Sequence, residues 1–186
     1  MLKLPSTALL LSAAFFAAIP TSQGAVDFAF EKAIKQADLI EQPLLDITRS
    51  GERLLAVGAR GLIIASEDQG TSWRQIETPV SVTLTALTFT DTDHGWAVGH
   101  AGTILHTVDG GDTWTLQFDG RQANEQFLAH TRTEAERLRA IVDNAPAELD
   151  PAELDELQYT LEDADYAIED AESAVATGPA DPFLDI

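Results

Sequence analysis

Cysteine is missing altogether. Its absence excludes disulfide staples, thiolate zinc sites, cysteine nucleophiles and lipid attachment through a cysteine. It leaves the compartment open, because exported proteins also do without cysteine. Basic residues are scarce: 11 Lys and Arg stand against 31 Asp and Glu, a formal charge of -20. A field of that sign repels phosphate backbones and anionic headgroups, which sets nucleic-acid and lipid-surface partners aside. Tyrosine occurs only twice, at Tyr159 and Tyr166. A phosphate-cradling glycine loop and a Gly-x-Ser-x-Gly elbow are also missing. What remains is a chain of 186 residues, 45% apolar, enough for one packed domain and an accessory piece.

Lys3 is the only charge in the first two dozen residues, and an apolar stretch follows over residues 8–18. Pro20 and small residues up to Gly24 and Ala25 complete the order of a secretory signal peptide, expected over 1–24. The stretch is shorter than the roughly 20 residues of a membrane span. Residues 25–42 are expected to be a lead-in.

The middle of the chain repeats. Residues 54–75 align with 95–116 at an offset of 41, with identities at Ala56/Ala97, Val57/Val98, Gly58/Gly99, Gly61/Gly102, Ile63/Ile104, Asp68/Asp109, Gly70/Gly111 and Trp73/Trp114. Ser66/Thr107 and Ser72/Thr113 match hydroxyl for hydroxyl. A period near 40, with four short β-prone runs and glycine turns in each unit, predicts antiparallel propeller blades over 43–119. Each unit carries hydroxyl-x-Asp-x-Gly-x-hydroxyl-Trp: Ser66, Asp68, Gly70 and Trp73, then Thr107, Asp109, Gly111 and Trp114. The aspartate is expected to accept hydrogen bonds within its own turn, the glycine to take positive φ, and the tryptophan to pack between blades. The pattern resembles the Asp-box of bacterial neuraminidase repeats, and both aspartates read as structural.

With residues 89–99, Gly102-Thr103-Ile104-Leu105 and the second Asp-box, the stretch from about 43 to 118 resembles the photosystem II assembly and stability-factor propellers. The resemblance implies a seven-bladed exported propeller acting as an assembly factor or scaffold, without cofactor. In photosynthetic members it implies a nascent reaction-centre subunit as partner. Pro182-Phe183-Leu184-Asp185-Ile186 repeats the wording of Pro43-Leu44-Leu45-Asp46-Ile47, so residues 181–186 are expected to open a further blade, as in a truncated product or partial sequence.

Between 120 and 180 the apolar period changes from two to seven. Leu128, Thr131, Ala135, Leu138 and Val142 form one seam; Leu154, Leu157, Leu161, Ala164, Ile168, Ala171 and Val175 form another. Together they predict an antiparallel helical hairpin, capped at Asp150-Pro151 and stopped at Gly178-Pro179. From 143 to 172 there are 12 acidic residues and no basic ones. Glu162, Asp163, Glu169 and Asp170 fall outside the seam. They read as a solvated face, or as a docking arm for a basic protein surface; the ligand spacing of a calcium-binding EF-hand is absent.

The expected class is therefore mainly β: two complete blades, the start of a third and an inserted helical hairpin. The expected function is non-catalytic, with no catalytic, metal or cofactor residues and a protein partner, in the setting of a membrane-protein complex. Arg49, Arg53, Arg60 and Arg74 are the blade residues offered as a second interaction surface. The competing class is a glycan-active, sialidase-like propeller hydrolase with its catalytic residues in missing blades. Such chemistry needs an arginine cluster and a tyrosine nucleophile; the blades supply the arginines and no tyrosine.

Overall fold

A computed structural model describes residues 30–179 and 182–186. The expected signal peptide over 1–24 lies outside the described residues. The described chain forms two four-stranded antiparallel sheets and two long helices. Blade 1 holds β1 (Leu44–Ser50), β2 (Arg53–Gly58), β3 (Ile63–Ser66) and β4 (Arg74–Ile76). Blade 2 holds β5 (Leu84–Phe89), β6 (Gly95–Gly99), β7 (Thr103–Thr107) and β8 (Thr115–Phe118). The strands run in simple sequence order in both sheets. This is the mainly-β, blade-type fold that the repeat predicts.

The two blades agree even in their irregularities. The first pairing of each slips at the same place, between Leu44 and Asp46 and between Leu84 and Ala86. After the second strand each chain turns through a residue in the left-handed region, Arg60 (φ 59) and Ala101 (φ 56). Gly99 is extended, yet a Cβ there would collide with the Thr83 carbonyl. Close approach of the first strand, rather than backbone freedom, is what this position demands.

Alternation along β2 and β3 sends side chains to opposite faces. Leu55, Val57, Ile63 and Ala65 belong to the core between the blades, at 1% exposure or less. They meet Leu84, Leu87, Ala97, Leu105 and Trp114 of blade 2 there. Phe89 and Trp114 meet edge to face, ring centres 6.1 Å apart. The intervening residues Ala56 and Ile64 join Leu62 in a smaller cluster on the far face of blade 1, covered by Leu39 and Trp73.

The hairpin consists of α1 (Gly120–Asp143) and α2 (Pro151–Thr177). Asp119 caps α1 by accepting from the backbone N–H of Arg121 and Gln122. Asp150 caps α2 at Ala152, with Pro151 at the first turn, and Gly178 ends it at φ 86. A helix of 27 residues is about 40 Å long. Both ends of the hairpin are rooted at one turn of blade 2. A Cβ on Gly102 would lie 3.0 Å from the Gly120 backbone, and one on Gly120 would strike Pro179. Along the seam only Thr131, Ala135 and Ala171 are buried; Leu128, Leu138, Leu154, Leu157, Leu161 and Ile168 are half-buried. Among the described residues no third helix packs on them, so they cover each other on one side only.

Among the described residues no helix is long and apolar enough to cross a membrane.

Candidate functional site

The hydroxyl–aspartate turns are built alike. In blade 1 the Ser66 hydroxyl donates to Asp68 Oδ1 (2.8 Å) and accepts from the Gly70 N–H (2.7 Å). Asp68 then accepts the Ser72 N–H (2.8 Å) on Oδ1 and the Ser72 hydroxyl (2.6 Å) on Oδ2. In blade 2 Thr107, Asp109, Gly111 and Thr113 make the same four bonds at 2.8, 3.0, 2.9 and 2.6 Å. Each tryptophan indole donates back to its glycine carbonyl, Trp73 to Gly70 and Trp114 to Gly111. Gly111 takes φ 86 and packs so closely under Leu55 that a Cβ would clash.

Both oxygens of each carboxylate are committed to the turn. The Ser72 hydroxyl and N–H, with the Ser66 hydroxyl, hold Asp68 down at about 2. At Asp109 burial works the other way, but the Thr113 hydroxyl and N–H and the Thr107 hydroxyl outweigh it and also bring it to about 2. Such groups are ionised acceptors and poor proton donors near neutrality.

The blade arginines separate into two kinds. Arg53 is drawn into the seam between the blades, its side chain 12% exposed. It donates to the Gly110 carbonyl (2.8 Å) and to Asp112 (2.7 Å) of blade 2, and pairs with Glu67 (2.8 Å). Arg74 shares Asp112 at 2.5 Å. The two guanidinium groups hold the Asp112 carboxyl below its ordinary value. Arg53, taken from the sequence as an interaction residue, is instead an inter-blade clamp, because its long side chain crosses the seam to an acidic turn. Arg49 and Arg60 are exposed. The tyrosines, Tyr159 and Tyr166, lie exposed on α2, while Arg53 and Arg74 are engaged in ion pairs on the blades. Nothing among the described residues brings a tyrosine and these arginines into one site.

On the arm, Glu162, Asp163, Glu169 and Asp170 all face solvent beside Tyr159 and Tyr166. Arg132–Glu172 (2.6 Å) and Arg139–Asp165 cross-link the two helices. The arginines of α1 thus neutralise only the inner edge of the acidic helix. Among the described residues no group of three or more His, Asp or Glu is placed to hold a metal.

Two features escape the sequence reading. One is the joint of the arm, where buried Asp119 pairs with Arg121 (2.6 Å) and the Arg121 guanidinium lies 3.7 Å above the Phe30 ring. An aspartate just ahead of a helical period is its only trace in the sequence. The other is a stack on the outer face of blade 2: His94 and His106 at 6.3 Å, and Trp96 and His106 at 4.8 Å. Scattered histidines gave no sign of it, but the 41-residue offset places His94 opposite Arg53.

Comparison with known proteins falls on this region. Residues 65–138 match the family described as photosynthesis system II assembly factor YCF48. The match starts at the end of β3, covers all of blade 2 and extends into α1. The chain is 50% identical over 46 residues to the photosystem II stability/assembly factor HCF136, chloroplastic, of Guillardia theta, covering 24% of this chain and 12% of that one. It is 43% identical over 42 residues to the photosystem II assembly protein Ycf48 of Thermosynechococcus vestitus, 23% of this chain and 12% of that one. A third relative, the photosystem II assembly lipoprotein Ycf48 of Synechocystis, is 46% identical over 43 residues, 23% of this chain and 13% of that one. The chain therefore matches about one eighth of the length of these relatives. A solved structure described as YCF48 bound to D1 peptide aligns with a TM-score of 0.39 and 24% identity, over 50% of this chain and 30% of that one. The resemblance to the photosystem II assembly and stability-factor propellers holds over the matched stretch, and the similar proteins are assembly factors rather than enzymes.

Proposed function

We propose that this protein is an exported assembly factor for a membrane-protein complex, acting as a non-catalytic propeller-type module through protein contacts. The observation that carries this reading is the family match over 65–138, which takes in the whole of blade 2 and the root of the arm. The chemistry of the turns supports it: Asp68 and Asp109, the most distinctive carboxylates of the repeat, are consumed in holding their hairpins. Structural Asp-boxes leave the surface to do the work. The acidic outer face of α2, with Glu162, Asp163, Glu169 and Asp170 around two exposed tyrosines, suits a basic segment of a partner. Exposed arginines would find carboxylates to pair with there, and tyrosine faces to stack upon.

The test is retention of a membrane-extract subunit on the immobilised full chain. The subunit is expected to bind at low salt, to elute as salt rises, and to bind weakly to the chain carrying Glu162→Gln, Asp163→Asn, Glu169→Gln and Asp170→Asn together. Retention unchanged by salt and by the four substitutions would discard the acidic face as the contact. A knockout strain with normal accumulation of every membrane complex would discard the assembly role itself.

A further inference from the structure

We propose that the tip of the arm is a helix-docking groove, and that its occupant is a basic amphipathic helix of a partner protein. The inference concerns a different face of the arm from the one that bears the tyrosines. It does not rest on the assembly-factor reading.

The two sides of the hairpin are finished differently. At roughly 100° per residue, Arg132 and Arg139 fall on one flank of the α1 seam and Ile141 on the other. The arginine flank is stitched to α2 by Arg132–Glu172 and Arg139–Asp165. Among the described residues no ion pair joins the two helices on the Ile141 flank. At the loop end of that flank lies an open groove of about 510 Å³, lined by Ile141, Ala145, Pro146, Leu149 and Leu157. Ile141 and Pro146 are exposed in it, and Leu149 and Leu157 are half-buried. A furrow between two helices is shaped for a third, whose ridge of side chains settles into it.

The groove is remote from the point where the chain leaves the arm. Ala140, which also lines it, stands roughly 30 Å along α1 from Gly120 at 1.5 Å per residue. From the tip α2 runs back to the root, where Pro179 lies against Gly120. There the Phe183 N–H donates to the Gly99 carbonyl, and the Thr85 hydroxyl donates to the Phe183 carbonyl. Whatever chain follows Ile186 sets out from the opposite end of the arm.

Charge selects the occupant. Glu148 precedes Leu149, and Glu153 and Glu156 fall on the groove's flank of α2 beside Leu157. All three are exposed and, among the described residues, pair with no cation. The one cation lining the groove, Arg137, is paired with Glu134 at 3.3 Å. A second copy of the arm would bring 15 acidic and 4 basic residues over 120–179, and like charges repel. A helix with aliphatic residues at i, i+3, i+4 and i+7, edged by Lys or Arg, suits both the groove and its rim.

The test is fluorescence anisotropy of the full chain with two labelled synthetic peptides of Leu and Lys, identical in composition. One spaces its leucines at i, i+3, i+4 and i+7; the other is scrambled. The first is expected to bind roughly tenfold more tightly than the second. Ile141→Lys should weaken its binding by roughly tenfold while leaving the circular dichroism of the chain unchanged. Glu148→Lys with Glu156→Lys should weaken it several-fold. Glu136→Lys with Asp143→Lys makes the same charge change on the stitched flank and should leave it nearly unaltered. Equal binding of the two peptides, or equal loss from the two double substitutions, overturns the proposal, because diffuse attraction would then suffice. Failure to bind either peptide also overturns it, the result that a segment of this chain already seated in the groove would give. Sedimentation velocity addresses the last occupant: self-association of the chain that Ile141→Lys abolishes would assign the groove to a second copy instead.

Discussion

The blades and the arm bury their apolar residues in different ways. In the blades one sheet stacks on the next, and Leu55, Val57, Ile63, Leu84 and Leu105 are wholly enclosed. In the arm the two helices pack chiefly on each other, only small residues are enclosed, and the leucines of the seam keep one side in water. A sheet stacked on a sheet hides a whole face, whereas two helices hide only facing stripes. Full burial of a large aliphatic side chain contributes about 1.5–3 kcal/mol, and half-burial proportionally less. Stability therefore resides between the blades, and the arm presents charge at little cost to the core.

The sharpest way to break that comparison is a pair of truncations. Leu55→Ala should destabilise by about 3–4 kcal/mol, because the tight seam cannot collapse around the cavity. Leu161→Ala on α2 should cost only about 1 kcal/mol. Equal losses in thermal or denaturant melts would mean that the arm is as much a core as the blades.

The joint comes next. Asp119→Ala removes the cap of α1 and the partner of Arg121, and should cost about 2 kcal/mol. Hydrogen exchange should show the first turns of α1 opening while β6 and β7 stay protected. Uniform loss of protection would join arm and blade into one cooperative unit.

The turn of blade 2 should cost less. Asp109→Ala orphans the Thr113 N–H in a place open to water, worth roughly 1–2 kcal/mol. Because Asp109 is held at about 2, below its ordinary 3.8, it contributes stability in the ionised form. That contribution is complete above pH 4 and lost as pH falls from about 4 toward 2. A melt series should show the unmodified chain and Asp109→Ala converging over that window. A gap that persists at pH 2 would mean that the aspartate acts other than as an ionised acceptor.

The smallest effect is expected from salt. Adjacent acidic residues of α2, such as Glu162 and Asp163 or Glu169 and Asp170, lie within a Debye length of each other, about 8 Å at physiological ionic strength. Raising salt should slow amide exchange in α2 by a fraction of a kcal/mol and leave the blade strands unchanged. Faster exchange of α2 in salt would show instead that its ion pairs to Arg132 and Arg139 outweigh the repulsion.

Much of the fold was legible because glycine, aspartate and tryptophan at fixed spacing each answer a local demand. Gly111 accepts positive φ, Asp109 ties its own turn, and the seams at 128–142 and 154–175 follow the helical period. The four short strands of each unit were legible as well, since β-prone runs and glycine turns mark them. Arg53 was misread because a sequence shows a charged side chain and not the length of its reach. Its partners, Gly110 and Asp112, are 57 and 59 positions away. The cap at Asp119 had a faint signal, but its burial under Arg121 and Phe30 had none.

By itself, then, the sequence determined the repeat, the hydroxyl–aspartate turns, the helical arm and the sign of the surface charge, all of which follow from neighbours within one hairpin or one helix. Only the tertiary structure decided that Arg53 clamps the seam, that Leu39 lids the far face of blade 1, and that His94, Trp96 and His106 stack on the outer face of blade 2. These contacts join segments whose meeting depends on how one sheet settles on the next, and short-range spacing carries no record of that choice.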